Sequence, residues 1–325
     1  MRSQQEPPAQ TPLAAAVVAL LTIACARPAP APSLGSVSVA GATDCSERVE
    51  EARVAADLPA LAVSLARDGQ ILAWGASGER IAGSGEPVTL HDQWHIGSDT
   101  KAMTAHLAAQ SVARGEIAWD TSVAEVFAEL EPAEGWETVT LLDLVRHQSG
   151  LPQLSTGAKQ YMLVMHSQPT HDLRSQWVEK QVLPSSPSEN RAFSYANSNY
   201  MLVGAMLEAR SGESWETLLF DRLFTPLGMT GAGLGIPGEG HPRGHRRHSD
   251  GQWAPSSDGA GADNVPALGP AGTVHTDHQS WAAFAQAQLE VLQAGDAADP
   301  ALSQLFAVPD DSPYAGGWIH LDEPP

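Results

Sequence analysis

Trp94-His95-Ile96-Gly97-Ser98-Asp99-Thr100-Lys101-Ala102-Met103-Thr104 sets a serine and a lysine three positions apart at the start of a helical pattern. Met103, Leu107 and Val112 recur at near-helical spacing, and Gly115 follows them as a stop signal. Residues i and i+3 share a helix face, so the Ser98 hydroxyl and the Lys101 amine can meet. A serine hydroxyl is a weak nucleophile until a base takes its proton, and a partly desolvated lysine can be that base. Ser98 would also sit where helix N–H groups and the positive dipole end favour an oxyanion. The chain has 28 serines but only Lys101, Lys159 and Lys180 as lysines. A Ser-x-x-Lys tetrad therefore arises by chance about once in four such chains, and a second signal is needed.

Upstream, residues 46–56 read as a short amphipathic helix and residues 60–66 as a buried strand. Asp68-Gly69 is a two-residue hairpin signal, with residues 71–74 as the returning strand. Downstream the pattern turns helical. Short helices are expected over 122–127 and 140–147, the latter capped by Thr140 with Asp143 in the reciprocal position. Longer ones are expected over 170–182, from 193 to a stop at Ser211-Gly212, and from Ser214 to Phe224. Residues 231–270 read as extended loops with two short strands. A last helix is expected after Thr276, with Gln279 in its capping box, ending at Gly295, then a strand over 314–321. No internal repeat is found.

The second signal is Tyr195-Ala196-Asn197. A phenol beside a lysine ammonium can have its pKa lowered and act as base or acid, while an Asn amide offers a donor and an acceptor to a substrate amide. Alone, the triplet also reads as a packed tyrosine before a helix-capping asparagine. With four tyrosines and four asparagines in the chain, a chance Tyr-x-Asn is expected in only about one such chain in twenty.

The order and context of these motifs resemble the serine beta-lactamase-related family, which includes class C beta-lactamases, D-alanyl-D-alanine carboxypeptidases, D-aminopeptidases and esterases. The resemblance is carried by residues 94–104, by 139–152 with Leu144-Val145-Arg146-His147-Gln148-Ser149-Gly150-Leu151-Pro152, by 193–207, and by Leu223-Phe224-Thr225-Pro226-Leu227-Gly228-Met229. Gly269-Pro270-Ala271-Gly272-Thr273-Val274-His275 and Tyr314-Ala315-Gly316-Gly317-Trp318 match later landmarks, so it covers residues 46–321.

The resemblance implies an α+β fold: an antiparallel sheet flanked by helices and built from both chain ends, with a mainly helical domain inserted. The expected division is 1–45 as leader and linker, 46–97 with 260–325 as the sheet domain, and 98–259 as the helical domain. By the same resemblance Ser98 is the acylated nucleophile, Lys101 its activating partner, Tyr195 the proton shuttle to the leaving group, and Asn197 a substrate-orienting amide. Whether Lys101 or Tyr195 takes the first proton stays open. The family also carries a third motif, Lys or His followed closely by Gly on a later strand. This sequence stops at Asp322-Glu323-Pro324-Pro325; His275 precedes a helix and His320 has no glycine after it. C-terminal strands are therefore expected to be missing, and with them one oxyanion-hole N–H, worth about 100- to 1000-fold in rate. The implied function is a serine hydrolase working through an acyl-enzyme on an ester, beta-lactam or D-amino-acid amide or peptide. The alternative is a catalytically impaired homologue that only binds, or a truncated fragment.

A formal net charge of -20 argues against nucleic acid or an anionic membrane surface as partner and says nothing specific about substrate; the resemblance implies a small molecule or peptide. No cofactor is implied. Residues 13–23 form an eleven-residue apolar run, too short to span a bilayer but sized for a signal peptide. Leu21-Thr22-Ile23-Ala24-Cys25 resembles a bacterial lipoprotein cleavage site, with Thr22 where leucine is usual. The expectation is an exported protein, periplasmic or an outer-membrane lipoprotein attached through a lipidated Cys25; another exported form and a cytoplasmic tail are the alternatives. Residues 27–33 suit a Pro-rich tether. Cys25 and Cys45 are the only cysteines, so no disulfide framework is expected. His241, His245 and His248 share a loop with Arg243, Arg246 and Arg247, whose charge opposes a metal ion, so no metal site is assigned. His147-Gln148-Ser149-Gly150 lacks the leading glycine of a nucleophile elbow and reads as a helix end shaping the cleft. Trp94 and Trp318 are the tryptophans expected nearest the site.

Overall fold

The computed structural model describes residues 37–154, 170–256, 263–310 and 312–321. The apolar leader and Cys25 lie outside the described residues. After β1 (Thr43–Asp44) and α1 (Ser46–Ala55) come β2 (Ala60–Arg67) and β3 (Gln70–Gly78), joined at Asp68 and Gly69 with φ of 50° and 73°. Two left-handed residues are what a tight hairpin needs to match strand twist, and Asp and Gly tolerate them best. β3 is central in this first sheet, antiparallel to β2 and parallel to β1.

β4 (Trp94–His95) feeds the helices: α2 (Thr100–Ala113), α3 (Leu141–Val145), α4 (Thr170–Trp177), α5 (Asn197–Ser211) and α6 (Trp215–Leu219). α4 and α6 each run on into a wider π turn, Val178–Val182 and Phe220–Phe224. Local chemistry sets most of these ends. Thr140 and Asp143 close the expected capping box on α3, the Ser214 hydroxyl accepts from the Thr217 N–H at the start of α6, and Gly212 (φ 74°) ends α5.

Beyond them lie β5 (Gly233–Leu234), a hairpin of β6 (His245–Arg247) and β7 (Trp253–Pro255), β8 (Val274–Thr276) and α7 (His278–Ala294). β8 is the middle strand of a second small sheet, antiparallel to β4 on one side and β5 on the other. Among the described residues of 231–270, expected to hold two short strands, there are three, β5, β6 and β7. The cap of α7 also differs from expectation. Asp277, not Thr276, accepts from the Ser280 N–H at 2.8 Å, because Thr276 is still the last residue of β8. A carboxylate there also complements the helix dipole. The single strand expected at 314–321 is a hairpin instead, β9 (Tyr314–Ala315) and β10 (Trp318–Ile319), turned by Gly316 and Gly317 at positive φ.

One buried cluster runs from Ile71 through Met103, Trp136, Tyr200 and Trp215 to Phe284. α2 lies at its centre: eleven of its 14 residues are buried, so it is covered on nearly every face. Arg174 on α4 is fully buried and ion-paired to Glu208 on α5 and Glu216 on α6, at 2.8 Å for the latter. Removing one partner from such a buried group typically costs about 3–5 kcal/mol, so this triad fixes how the three helices meet. Among the described residues no helix is long and apolar enough to cross a membrane.

Candidate active site

β4 leads into a 3-10 turn, Gly97–Asp99, and only then into α2. Ser98 therefore sits in a tight turn just ahead of the α-helix rather than within its first turn. Gly97 makes the reversal at φ 53°. The turn is stitched to β8: Ile96 donates its N–H to Val274 O at 3.0 Å, and Val274 donates to Thr100 Oγ1 at 3.1 Å. Thr100 Oγ1 in turn donates to Gly97 O at 2.7 Å. The serine is thus exposed on a braced turn, and among the described residues its backbone N–H has no acceptor. That N–H is free to face a developing oxyanion.

Lys101 lies at the opposite extreme, 1% exposed. Its Nζ contacts Ser98 Oγ at 3.0 Å, Asn197 Oδ1 at 2.8 Å and Ala271 O at 2.6 Å. The rings of Tyr195 and Tyr200 lie 4.9 and 5.7 Å from it, centroid to Nζ. Burial penalises the ammonium and pulls its pKa down to about 7, while the neighbouring Asp99 carboxylate works against that shift. Tyr195 closes the site from α5's leading segment, its hydroxyl donating to Ser98 Oγ at 2.8 Å. Its pKa is raised, chiefly by partial burial, with the Ser98 hydrogen bond opposing and the Asp99 charge adding. The expected lowering by the ammonium does not occur; the phenol stays a proton donor near neutrality.

The four sequence-derived positions therefore converge. Asn197 is the first residue of α5, not its cap. Its Oδ1 is held by Lys101 and its N–H by Gln153 Oε1 at 3.0 Å, and its Nδ2 has no partner among the described residues. Trp318 stacks on Phe284 (centroids 6.4 Å, 14°) and belongs to the packing of α7. Three participants were not found from sequence. The Ala271 carbonyl is backbone and carries no residue signature. Gln153 also donates Nε2–H to Tyr195 O at 3.0 Å, and no motif marks it. His147 lies against the Tyr195 ring, centroids 4.5 Å apart; its place after a helix had suggested only a cleft wall. Of the loop histidines, His245 Nε2 accepts from Ala82 N–H and His241 Nδ1 from Gln93 N–H. Among the described residues no three His, Cys, Asp or Glu gather as a metal site.

This α+β frame of helices and small antiparallel sheets is that of the beta-lactamase/transpeptidase fold class. The chain belongs to the beta-lactamase family, whose sequence profile matches residues 46–321. It is similar to penicillin-binding protein 4 of Amycolatopsis lactamdurans, 32% identical over 188 residues, which is 56% of this chain and 46% of that one. Among solved structures, SurE superposes with a TM-score of 0.64 at 25% identity, covering 84% of this chain and 62% of SurE. SurE has also been solved with D-Leu. A D-stereospecific amidohydrolase from Streptomyces sp. gives a TM-score of 0.61 at 22% identity, over 84% of this chain and 81% of that one. The matched stretch thus spans about half the length of the curated relative and about three fifths of SurE.

Proposed function

We propose that the chain is a serine hydrolase that forms an acyl-enzyme at Ser98 on an ester, beta-lactam or D-amino-acid amide. The observation that carries this reading is the convergence of Lys101 Nζ and Tyr195 OH on Ser98 Oγ, at 3.0 and 2.8 Å. Neutral Lys101 takes the Ser98 proton as Oγ bonds to the substrate carbonyl carbon, and the carbonyl oxygen becomes the oxyanion beside the Ser98 N–H. The bond to the leaving group then breaks as Tyr195 gives that group its proton. Proton transfer from the Lys101 ammonium to the phenolate restores both. Deacylation runs the sequence backwards. The phenol proton passes to Lys101, and the Tyr195 phenolate takes a proton from the water that attacks the acyl carbon. The Lys101 ammonium protonates Ser98 Oγ as the acyl bond to it breaks, releasing the acid and restoring all three groups. Asn197 Nδ2 is the amide donor for the substrate's acyl side chain. The chain's relatives include a penicillin-binding protein, a D-stereospecific amidohydrolase and a protein crystallised with D-Leu, in keeping with those substrate classes.

The test is to incubate the chain with a fluorescent penicillin and with a fluorophosphonate, digest it, and locate the adduct. An adduct on the Ser98 peptide that vanishes in Ser98→Ala is expected. Wild-type chain that takes neither label, or a label retained by Ser98→Ala, overturns the reading; saturable penicillin binding without an adduct would favour a binding protein instead. Export with lipidation of Cys25 is part of the same proposal, and mass analysis of the amino-terminal peptide from a membrane fraction checks it.

A further inference from the structure

We propose that His147 is the positioning residue for Tyr195, holding the phenol at bonding distance from Ser98 Oγ; this rests on the reading of Tyr195 as proton donor to the leaving group. His147 follows α3 by two residues and is 1% exposed. It grips the segment that bears Tyr195 on both sides. The Ser194 N–H donates to His147 O at 2.9 Å, and the Ala196 N–H donates to His147 Nδ1 at 3.3 Å. Asn199, on the first turn of α5, donates its Nδ2–H to the same nitrogen at 2.9 Å. The ring then backs the phenol itself, 4.5 Å between centroids, and is braced from behind by Tyr314 at 4.7 Å and Tyr200 at 5.2 Å. Gln153 completes the hold from solvent, bonding Tyr195 O and the Asn197 N–H.

Two features argue that this ring is kept for more than packing. With Nδ1 accepting from two donors, the proton of the neutral ring sits on Nε2, and Nε2 is buried without a partner among the described residues. A phenylalanine or leucine would fill the space with no buried ring N–H of its own, but would leave the Ala196 N–H and Asn199 Nδ2–H without this acceptor. His147 also adopts φ 58°, a left-handed conformation uncommon for a residue that is not glycine. Both costs are tolerated at a place from which Nδ1 holds the Ala196 N–H, next in the chain to Tyr195, while the ring face lies on the phenol.

His147→Asn is the discriminating variant. Asn accepts positive φ and offers Oδ1 near the Nδ1 position, but removes the ring. p-Nitrophenyl butyrate releases a stable phenolate that needs no proton, whereas ethyl butyrate releases an alkoxide that does. Loss of Tyr195 alignment should lower kcat/KM on ethyl butyrate by about 100-fold, and on the nitrophenyl ester by no more than a few-fold. In protein carrying 3-fluorotyrosine, the 19F resonance assigned to Tyr195 through Tyr195→Phe should move. Equal losses on both esters, no loss on either, or an unmoved resonance overturns the proposal. If the wild-type chain hydrolyses neither ester, the resonance alone decides the positioning role, while the Ser98 adduct test separately decides the proposed function. Should His147→Asn not fold, the 15N shifts of His147 in the wild-type chain decide: an unprotonated Nδ1 is expected, and a protonated Nδ1 overturns the proposal.

Discussion

Lys101 Nζ has three oxygen neighbours, Ser98 Oγ, Asn197 Oδ1 and Ala271 O. An ammonium can donate to all three, whereas a neutral amine has two N–H groups and one lone pair. The carbonyls of Asn197 and Ala271 can only accept, so the contact that must reverse on deprotonation is the one to Ser98. Loss of the proton thus turns the amine lone pair onto the hydroxyl it is to activate. With the pKa drawn down to about 7 by burial, both forms are populated near neutrality. The pH at which Ser98 acylates therefore reports Lys101: kcat/KM should rise with pH through about 7. Asp99 supplies a negative charge that favours the ammonium. Asp99→Asn removes it, so the Lys101 pKa falls and the rising limb moves to lower pH. Stopped-flow acylation with a fluorescent penicillin across pH 5–9, roughly two units either side of that pKa, measures this. A limb that stays put or moves to higher pH would show that Lys101 is not the titrating base. Lys101→Ala should slow acylation by about 100- to 10,000-fold while leaving thermal unfolding cooperative.

Among the elements, those with local causes were legible in the sequence. Asp68-Gly69 turns β2 into β3, Thr140 and Asp143 cap α3, and Gly212 ends α5, each through atoms a few residues apart. Where two neighbours could do the same job the choice was not legible, as with Thr276 and Asp277 at α7. The Tyr195 pKa went the other way because burial outweighs the hydrogen bond with Ser98, and burial is set by the whole fold. Of the site, the Ser-x-x-Lys and Tyr-x-Asn motifs singled out Ser98, Lys101, Tyr195 and Asn197 only weakly by spacing, and the family resemblance implied their roles; Ala271 O, Gln153 and the grip of His147 arise only when distant segments meet. The β9–β10 hairpin is the plainest such case, since alternation alone suggested one strand. Gly317 sits there at φ 93°, and a Cβ on it would lie 2.4 Å from Ala102 N, at the start of the helix that carries Lys101. Gly317→Ala should push the hairpin off α2, costing about 3 kcal/mol or more, and slow Ser98 acylation as well. Gly83 has a similar φ of 83° with nothing within 4 Å of its Cβ position. Gly83→Ala should cost only about 1 kcal/mol and leave acylation unchanged. Denaturant unfolding and probe acylation of the two variants make the comparison; equal behaviour would mean that the close approach to Ala102 does not matter.

At the scale of the whole molecule, charge is the property that packing does not settle. The chain carries 38 acidic residues against 18 lysines and arginines, a formal net charge of -20. Lys101, the cation at the centre of the site, is buried and about half deprotonated near neutrality, so it offers an approaching anion little attraction through solvent. A field of one sign raises or lowers encounter rates, and salt removes the effect once the Debye length falls to about 8–10 Å at physiological ionic strength. Anionic and neutral acyl donors should consequently respond differently to salt. Acylation of Ser98 by a penicillin, which bears a carboxylate, should speed up a few-fold between about 10 mM and 150 mM sodium chloride. Hydrolysis of the uncharged p-nitrophenyl butyrate should stay flat over the same range. The comparison removes any salt effect on Lys101 itself, because both reactions need the same base. If the penicillin reaction instead slows as salt is added, a local cationic surface must guide it against the overall field, and the charge of the whole chain would not govern which acyl donors reach Ser98.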